Sequence, residues 1–571
     1  MKPKIYPGTV LKIAKLFETA KGKRIYIKFP FTRETLLQIK SIKYRVYEPD
    51  GKYWTVPLNL ENIEILKDFE FNFDDGLKEF YRKSKIRVEQ LSLIEIPGLK
   101  GELRRFQNTA VAFTELKNGN CLILDDMGCG KTIEALAYLQ LHPEFRPCII
   151  VCPSNAKINW AREAHKWVQD ARIQILYGQT PTNIWGKIII INYDILQYWL
   201  DGLKNISAEI LITDEAQFYK NSETKIAKTI KKLAKTIPHV IPMSGTLVEI
   251  SPFDIYNAVN LVDPNIFPDP LNFKMRYCDA KFGYYGWEFK GATNIEELHE
   301  KIKPIMIRRL KEDVLSELPG KTFSFIPLEL DNQKEYLAAE NDFINYIKNK
   351  TEIEIRSAFA DFIKDSNQML LFNDERLEEL KEEKANKANP LSQMNALKQL
   401  AVKGKLKHAI AWIDEFMETG NKLVVFAWHQ FVIDELVKAF PKISVKLDGR
   451  DSAMQKQKAI DAFQCDPACK LFIGQEKAAG VAITLTAASH AAILEYPWNP
   501  MTLKQDYDRL DRIGQKNAVN IYQLLGLNTI EEKIAKILDE RMQTSSGILD
   551  GKAIDSKMLI TELIKEYQTL I

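Results

Sequence analysis

The sequence predicts an α/β protein: two parallel-sheet lobes with helical insertions, plus a small N-terminal α+β module. Three observations carry this. Between about residues 100 and 250, short Ile/Val-rich runs alternate with helical stretches, the pattern of a parallel sheet covered on both faces. A second series of such runs falls between residues 422 and 524. Residues 1–90 show neither series; a strand, a helix and a strand–turn–strand follow one another there.

Taken in order, Lys23 to Phe29 alternates like a strand. Thr32 to Ile42 has helical spacing, with Thr32 as N-cap and Thr35, rather than Glu or Gln, three residues on. Tyr44 to Tyr47, the turn Glu48 to Gly51, and Lys52 to Val56 read as strand, turn and strand. The first lobe's strands are expected at Cys121 to Leu124, Cys148 to Cys152, Ile188 to Ile191, Ile210 to Thr213 and Val240 to Met243. Those of the second are expected at Lys422 to Ala427, Ile443 to Leu447, Leu471 to Ile473, Ala491 to Leu494 and Asn520 to Leu524. Between the lobes lies a charged, helix-rich stretch, in which Glu375 to Lys387 reads as an exposed helix or a mobile linker.

The 571 residues are enough for about three or four domains. A hydrophobic fraction of 46% excludes wholesale disorder. No apolar run approaches the roughly 18 residues of a membrane span, and the N-terminus lacks the apolar core of a signal peptide. Seven cysteines are too few for a disulfide scaffold, and Cys465 and Cys469 lack a second metal-ligand pair, so a reducing, intracellular compartment is expected. The net charge of +3 hides a local bias. Residues 1–45 carry about ten more basic than acidic side chains, enough for a face that binds a polyanion.

The strongest chemical signal is Asp125-Asp-Met-Gly-Cys-Gly-Lys-Thr132, set between a predicted strand and the predicted helix Ile133 to Gln140. Gly128 and Gly130 let the backbone of Met127 to Gly130, Cys129 included, turn so that N–H groups face phosphate oxygens. Lys131 supplies positive charge to the outer phosphates, and the Thr132 hydroxyl can ligate Mg²⁺. The helix N-terminus that follows favours the anion. The usual pattern has Gly at position 125, where this chain has Asp. Leu211-Ile-Thr-Asp-Glu-Ala-Gln217 ends a second strand with adjacent carboxylates: Asp214 to hold Mg²⁺ through water, Glu215 to orient and deprotonate an attacking water. Met243-Ser-Gly-Thr-Leu247 follows a third strand and offers Ser244 and Thr246 as couplers to a moving neighbour.

Together these residues resemble the Swi/Snf-type group of superfamily-two helicase-like ATPases. Asp125 matches that group, whose phosphate loops often read DEMGLGKT. Leu103-Arg-Arg-Phe-Gln107 resembles its Gln motif, implying that Gln107 reads adenine. Val151-Cys-Pro-Ser-Asn-Ala-Lys-Ile-Asn-Trp160 and Asn192-Tyr-Asp194 resemble motifs Ia and Ib, which implies DNA contacts for Lys157, Trp160 and Asn192. Ile307-Arg-Arg-Leu-Lys-Glu-Asp-Val314, then Leu318-Pro-Gly-Lys321, is a hallmark of the group. In the second lobe, Gly480 to Thr486 resembles motif V, with Thr484 and Thr486 as DNA contacts, and Trp498-Asn-Pro500 is a further match, with Trp498 as another. Gln505-Asp-Tyr-Asp-Arg-Leu-Asp-Arg-Ile-Gly-Gln515 resembles motif VI. By that likeness Gln505, Arg509 and Arg512 join the catalytic set and the arginines reach the γ-phosphate. Two departures stand out: Gln217 where His is usual, and Asp511 where His is usual. Tyr26 to Leu60 resembles the HARP module of annealing helicases.

The resemblance implies two RecA-like lobes, with the chain dividing at 1–90, 91–325, 326–400 (helical linker) and 401–571. It implies a monomeric, DNA-dependent ATPase using ATP and Mg²⁺, which translocates on duplex DNA and rewinds or remodels forks and junctions. Displacement of proteins from DNA is the alternative, then a DNA-binding scaffold without turnover, then strand separation, for which no wedge domain is obvious. DNA is the expected partner, with a single-strand-binding or replication and repair protein as a second. Tyr44, Tyr47 and Trp54 either stack on bases or fill the module's core, and core is the reading for Trp54.

Overall fold

The computed structural model describes residues 12–19, 22–86, 88–248, 251–283, 286–289, 291–315, 317–348, 390–476, 483–497 and 500–535. The N-terminal module contains β1 (Ile13–Thr19), β2 (Gly22–Lys28), α1 (Arg33–Ser41), β3 (Val46–Glu48), β4 (Tyr53–Pro57), α2 (Leu60–Asp68), β5 (Asn72–Phe73) and α3 (Asp75–Ser84). Its sheet runs β3-β4-β2-β1-β5. The alternation in β2 buries Ile25 and Ile27 against Ile39, Val56, Ile63 and Leu77. Thr32 caps α1 by accepting from Thr35 N at 3.0 Å. The strand expected from Tyr44 starts only at Val46, because Tyr44 takes the left-handed backbone, with φ +57°. Trp54 packs at the edge of the core with Tyr47, ring centroids 4.9 Å apart, while Tyr44 and Tyr47 are exposed.

The first lobe follows with α4 (Arg105–Leu116), β6 (Leu122–Ile123), α5 (Lys131–Leu141), β7 (Cys148–Cys152), α6 (Lys157–Trp167), β8 (Ile173–Ile175), β9 (Ile188–Asn192), α7 (Leu196–Asn205), β10 (Ile210–Asp214), α8 (Lys225–Ala234), β11 (His239–Met243) and α9 (Tyr256–Val262). An insertion adds α10 (Pro270–Tyr277), the hairpin β12 (Ala280–Gly283) and β13 (Gly286–Phe289), and α11 (Ile295–Ile302), before β14 (Met306–Ile307) closes the sheet. The order is β14-β6-β11-β10-β7-β9-β8, and every pairing is parallel. All residues of β7, β9 and β10 are buried, which is why they read as apolar runs without alternation.

The second lobe comprises α12 (Lys311–Val314), β15 (Lys321–Leu328), α13 (Gln333–Lys348), α14 (Pro390–Met417), β16 (Leu423–Ala427), α15 (Gln430–Ala439), β17 (Ser444–Leu447), α16 (Ala453–Cys465), β18 (Leu471–Gln475), β19 (His490–Ile493), α17 (Pro500–Tyr507) and β20 (Val519–Gly526), with α12 as the bridge to it. The sheet order β15-β20-β19-β16-β18-β17 is again wholly parallel. Two boundaries need correction. Strand β15 belongs to the second sheet, not to a first lobe ending at 325, because Lys321 to Leu328 pairs with β20 along its length. The expected linker is not separate where it is described: Tyr336, Phe343, Met394 and Leu397 lie in the second lobe's core. Glu375 to Lys387 lies outside the described residues. Among the described residues, no helix is long and apolar enough to cross a membrane.

Candidate active site

The phosphate loop is held open by its glycines. Gly128 and Gly130 have φ of +83° and +97°, and a Cβ on Gly130 would lie 2.4 Å from Gln107 Nε2. Gln107 is buried and engaged within the lobe: Nε2 donates to Cys129 O at 3.0 Å, and Oε1 accepts from Arg104 N at 3.0 Å. Its amide therefore braces the loop from beneath. Lys131 begins α5, and its Nζ donates to the carbonyls of Asp125 (2.8 Å) and Asp126 (3.2 Å). Thr132 follows on the first turn of the same helix.

Asp125 replaces a glycine because it has a cationic partner. Arg309 Nε reaches its two carboxylate oxygens at 3.1 and 3.0 Å, and Arg309 Nη2 also reaches Glu134 Oε1 at 2.9 Å. Asp126 lies 3.0 Å from Lys504 Nζ and 3.7 Å from Arg308 Nη1. Burial alone would raise the Asp126 carboxyl; Lys504 and Arg308 outweigh it and hold it below the usual range. The hallmark segment thus fastens the phosphate loop. Its spacing was visible in the sequence, but no role for Arg308, Arg309 or Lys311 was legible there, and nothing singled out Lys504.

The two acidic residues at the end of β10 differ sharply. Asp214 is buried, and its Oδ2 accepts from Trp160 Nε1 at 2.8 Å. Burial first, then the Glu215 charge, push Asp214 up to about 6. Glu215 sits in the left-handed region at φ +56°, which turns it off the strand end. Glu215 Oε2 accepts from Gln217 Nε2 at 2.8 Å, and Gln217 Oε1 accepts from Ser244 Oγ at 2.7 Å. Thr246 Oγ1 accepts from Gln217 Nε2 at 3.4 Å and from Gln505 Nε2 at 3.1 Å. A hydrogen-bonded path therefore runs from Glu215 through Gln217 and Thr246 to Gln505 on the other lobe.

Motif VI closes over the loop. A Cβ on Gly128 would lie 3.1 Å from Arg512 Cγ and 3.2 Å from Asp511 O. Arg512 donates to Asp508 O at 2.8 Å and to Thr484 Oγ1 at 3.4 Å. Burial lowers the pKa of both Arg509 and Arg512, while Asp214 and Glu215 pull it back up, so both guanidinium groups lie within electrostatic reach of those carboxylates. Asp511, in place of His, pairs with Lys311 Nζ at 3.1 Å and Lys321 Nζ at 2.8 Å. Lys311 also meets Asp508 Oδ1 at 2.6 Å. Burial opposes the Lys311 charge, but Asp508 and Asp511 outweigh it and raise its pKa.

Three expected DNA contacts are corrected. Lys157 is buried, donating to Leu176 O at 3.0 Å and Asn192 Oδ1 at 2.9 Å, with the Tyr177 ring 4.2 Å from its ammonium. Asn192 is buried and also donates to Asp194 Oδ2 at 2.9 Å, and Trp160 is spent on Asp214. These side chains brace the lobe from within and present no surface to a duplex. Thr484 and Thr486 are half-buried, Thr484 beside Arg512, and Trp498 lies outside the described residues. Six of the seven cysteines are buried and Cys465 is exposed, all as free thiols. Among the described residues, no cluster of three or more His, Cys, Asp or Glu forms a metal site. The loop N–H groups, Lys131 and the arginines suit a polyphosphate, and the Asp214 carboxylate with the Thr132 hydroxyl suits a hard cation.

Residues 75–404 match the SNF2-related domain model, and residues 404–514 match the helicase conserved C-terminal domain. A Xenopus laevis protein, SWI/SNF-related matrix-associated actin-dependent regulator of chromatin subfamily A-like protein 1, is 28% identical over 91% of this chain and 53% of its own length. The human DNA annealing helicase and endonuclease ZRANB3 is 27% identical over 80% of this chain and 41% of its own length. The chain thus spans about half the length of the curated relatives it matches. A solved Sulfolobus solfataricus SWI2/SNF2 ATPase core in complex with dsDNA aligns at 25% identity and a TM-score of 0.38, covering 84% of this chain and 99% of that one. With more than half its length under one family model, this chain belongs to the SNF2-related family.

Proposed function

We propose that the chain is a DNA-dependent ATPase that moves along double-stranded DNA and rewinds or remodels forked DNA. The observation that carries this reading is the hydrogen-bonded path from Glu215 through Gln217 and Thr246 to Gln505, because it ties the candidate base to both lobes. The family match and the names of its relatives support it.

In this reading, Met127 to Thr132 cradle the phosphates of ATP, with Lys131 turning from its own loop carbonyls to the substrate. Thr132 and Asp214 would hold Mg²⁺, which would supply neutralising charge at the phosphates. Glu215 accepts a proton from the attacking water, and Gln217, bonded to Glu215 and Thr246, couples that step to the second lobe. Arg509 and Arg512 stabilise the charge that builds on the transferred phosphoryl group. Lys504 on Asp126 and Lys311 on Asp508 and Asp511 hold the lobes in register while this happens. Residues 12–86 serve as the junction-recognising module and contact the first lobe's insertion through Lys301 to Glu61 at 3.1 Å and Asn272 to the Tyr44 hydroxyl at 2.7 Å.

The test is ATP turnover at fixed salt with no DNA, single strands, blunt duplex and a fork. Stimulation is expected from duplex and more from the fork. Glu215→Gln is expected to bind ATP and to lose turnover. Normal turnover in that variant, or no stimulation of the native chain by any DNA, would overturn the reading.

A further inference from the structure

The insertion in the first lobe carries a feature that the nucleotide chemistry does not use. Strands β12 and β13 form an antiparallel two-stranded hairpin that pairs with no other strand among the described residues. Its register places Ala280 opposite Phe289 and Phe282 opposite Trp287, so these four share one face. The root of that face is held: Phe289 packs against the first lobe's core, and Lys274 lies over its ring at 5.8 Å. The outer pair is not covered. Phe282 is 75% exposed and Trp287 51%, with ring centroids 5.4 Å apart at 78°.

Two large aromatic rings directed into solvent from a rooted hairpin are costly unless something covers them. The surroundings indicate what that is. Helix α10 packs beside β12 and exposes Leu271 and Met275. From α10, Asn272 bonds the Tyr44 hydroxyl of the N-terminal module. There the exposed Tyr44 and Tyr47 lie in sequence among exposed Lys40, Lys43, Arg45 and Lys52. Lys281 alternates to the hairpin's other face, across from Glu288, and pairs with Asp279 at 2.7 Å; on the aromatic face the cation is Lys274, 5.8 Å from the Phe289 ring. Aromatic faces amid cations fit unpaired nucleobases on a phosphate backbone, because every base offers a π-face and every linkage a negative charge.

We infer that Phe282 and Trp287 form a stacking pin for unpaired bases of a single-stranded arm next to a duplex. The inference deepens the proposed function by naming what the fork adds to a plain duplex. It also supplies a short pin where the sequence offered no wedge domain.

The test compares the native chain with Phe282→Ala/Trp287→Ala and with Trp287→Phe, which keeps a ring. Both sites are exposed, and equal thermal unfolding of the three proteins checks the fold. Binding of a fluorescein-labelled fork with single-stranded arms, and of a blunt duplex, is measured at one salt concentration. A second probe carries 5-iodouracil in the arm beside the junction, and photocrosslinks are mapped by peptide mass. The double variant is expected to lose about tenfold or more in fork affinity, with duplex affinity and duplex-stimulated ATP turnover unchanged. Trp287→Phe is expected to retain most of the fork affinity, and the crosslink is expected on the hairpin. Unchanged fork affinity, equal losses on fork and duplex, or a crosslink elsewhere would overturn the pin; unchanged affinity would leave a protein as the occupant of the patch. Failure of the motor reading would show separately, as a native chain whose ATP turnover no DNA stimulates.

Discussion

Replacing Trp160 by Phe separates two roles for one residue, a DNA contact expected from the family motif and a brace for Asp214. The indole donates to a carboxylate that is buried beside Glu215. A hydrogen bond to a charged group contributes about 1.5–3 kcal/mol, and one pKa unit corresponds to about 1.4 kcal/mol. Removing the donor should therefore move Asp214 from about 6 upward by roughly one to two units. The sign follows from linkage. A carboxyl whose folded pKa exceeds its unfolded value, about 3.9, adds stability below that value and loses it as pH rises through the folded pKa. In the native chain that loss is complete slightly above pH 6; in Trp160→Phe it continues for about one to two further pH units. Urea unfolding without Mg²⁺ should thus show a small gap between the two proteins near pH 5, set by the lost ring volume. Near pH 8 the gap should widen by about 1.5–3 kcal/mol. DNA affinity at fixed salt should not change. A gap independent of pH, together with weakened DNA binding, would refute the bracing role and return Trp160 to the DNA surface.

Two further outcomes follow from the same network. Lys311→Met leaves Asp508 and Asp511 buried at the lobe junction with Lys321 as their remaining lysine, and should cost about 3–5 kcal/mol in urea unfolding; a loss under about 1 kcal/mol would show the pair to be dispensable. Gln217→Ala should reduce DNA stimulation of ATP turnover about tenfold, the equivalent of one hydrogen bond to a charged group, while sparing turnover without DNA, and Gln217→His should restore it; equal stimulation in all three proteins would disconnect the path from coupling.

The buried parallel strands were legible because burial on both faces demands unbroken apolar runs, and Cys148 to Cys152 matches its expected bounds residue for residue. The phosphate loop was legible because only glycines fit its backbone at 128 and 130. Strand β15 was not, since most of its residues are exposed and it becomes a strand only by pairing with β20, nearly two hundred positions away. Strands β8 and β14, of three and two residues, are too short to carry a period.

The sequence by itself determined the long buried strands, the glycine loop, the adjacent carboxylates and the arginine-bearing motif, because local backbone geometry and residue chemistry impose those choices. Tertiary structure decided which side chains are spent internally. Lys157, Trp160 and Asn192 look like a nucleic-acid surface in one dimension and are buried braces in three. Asp125 and Asp511, departures on the page, are explained by Arg309, Lys311 and Lys321, which lie far away along the chain. A buried charge must find its partner in space, and spacing along the sequence does not say where that partner is.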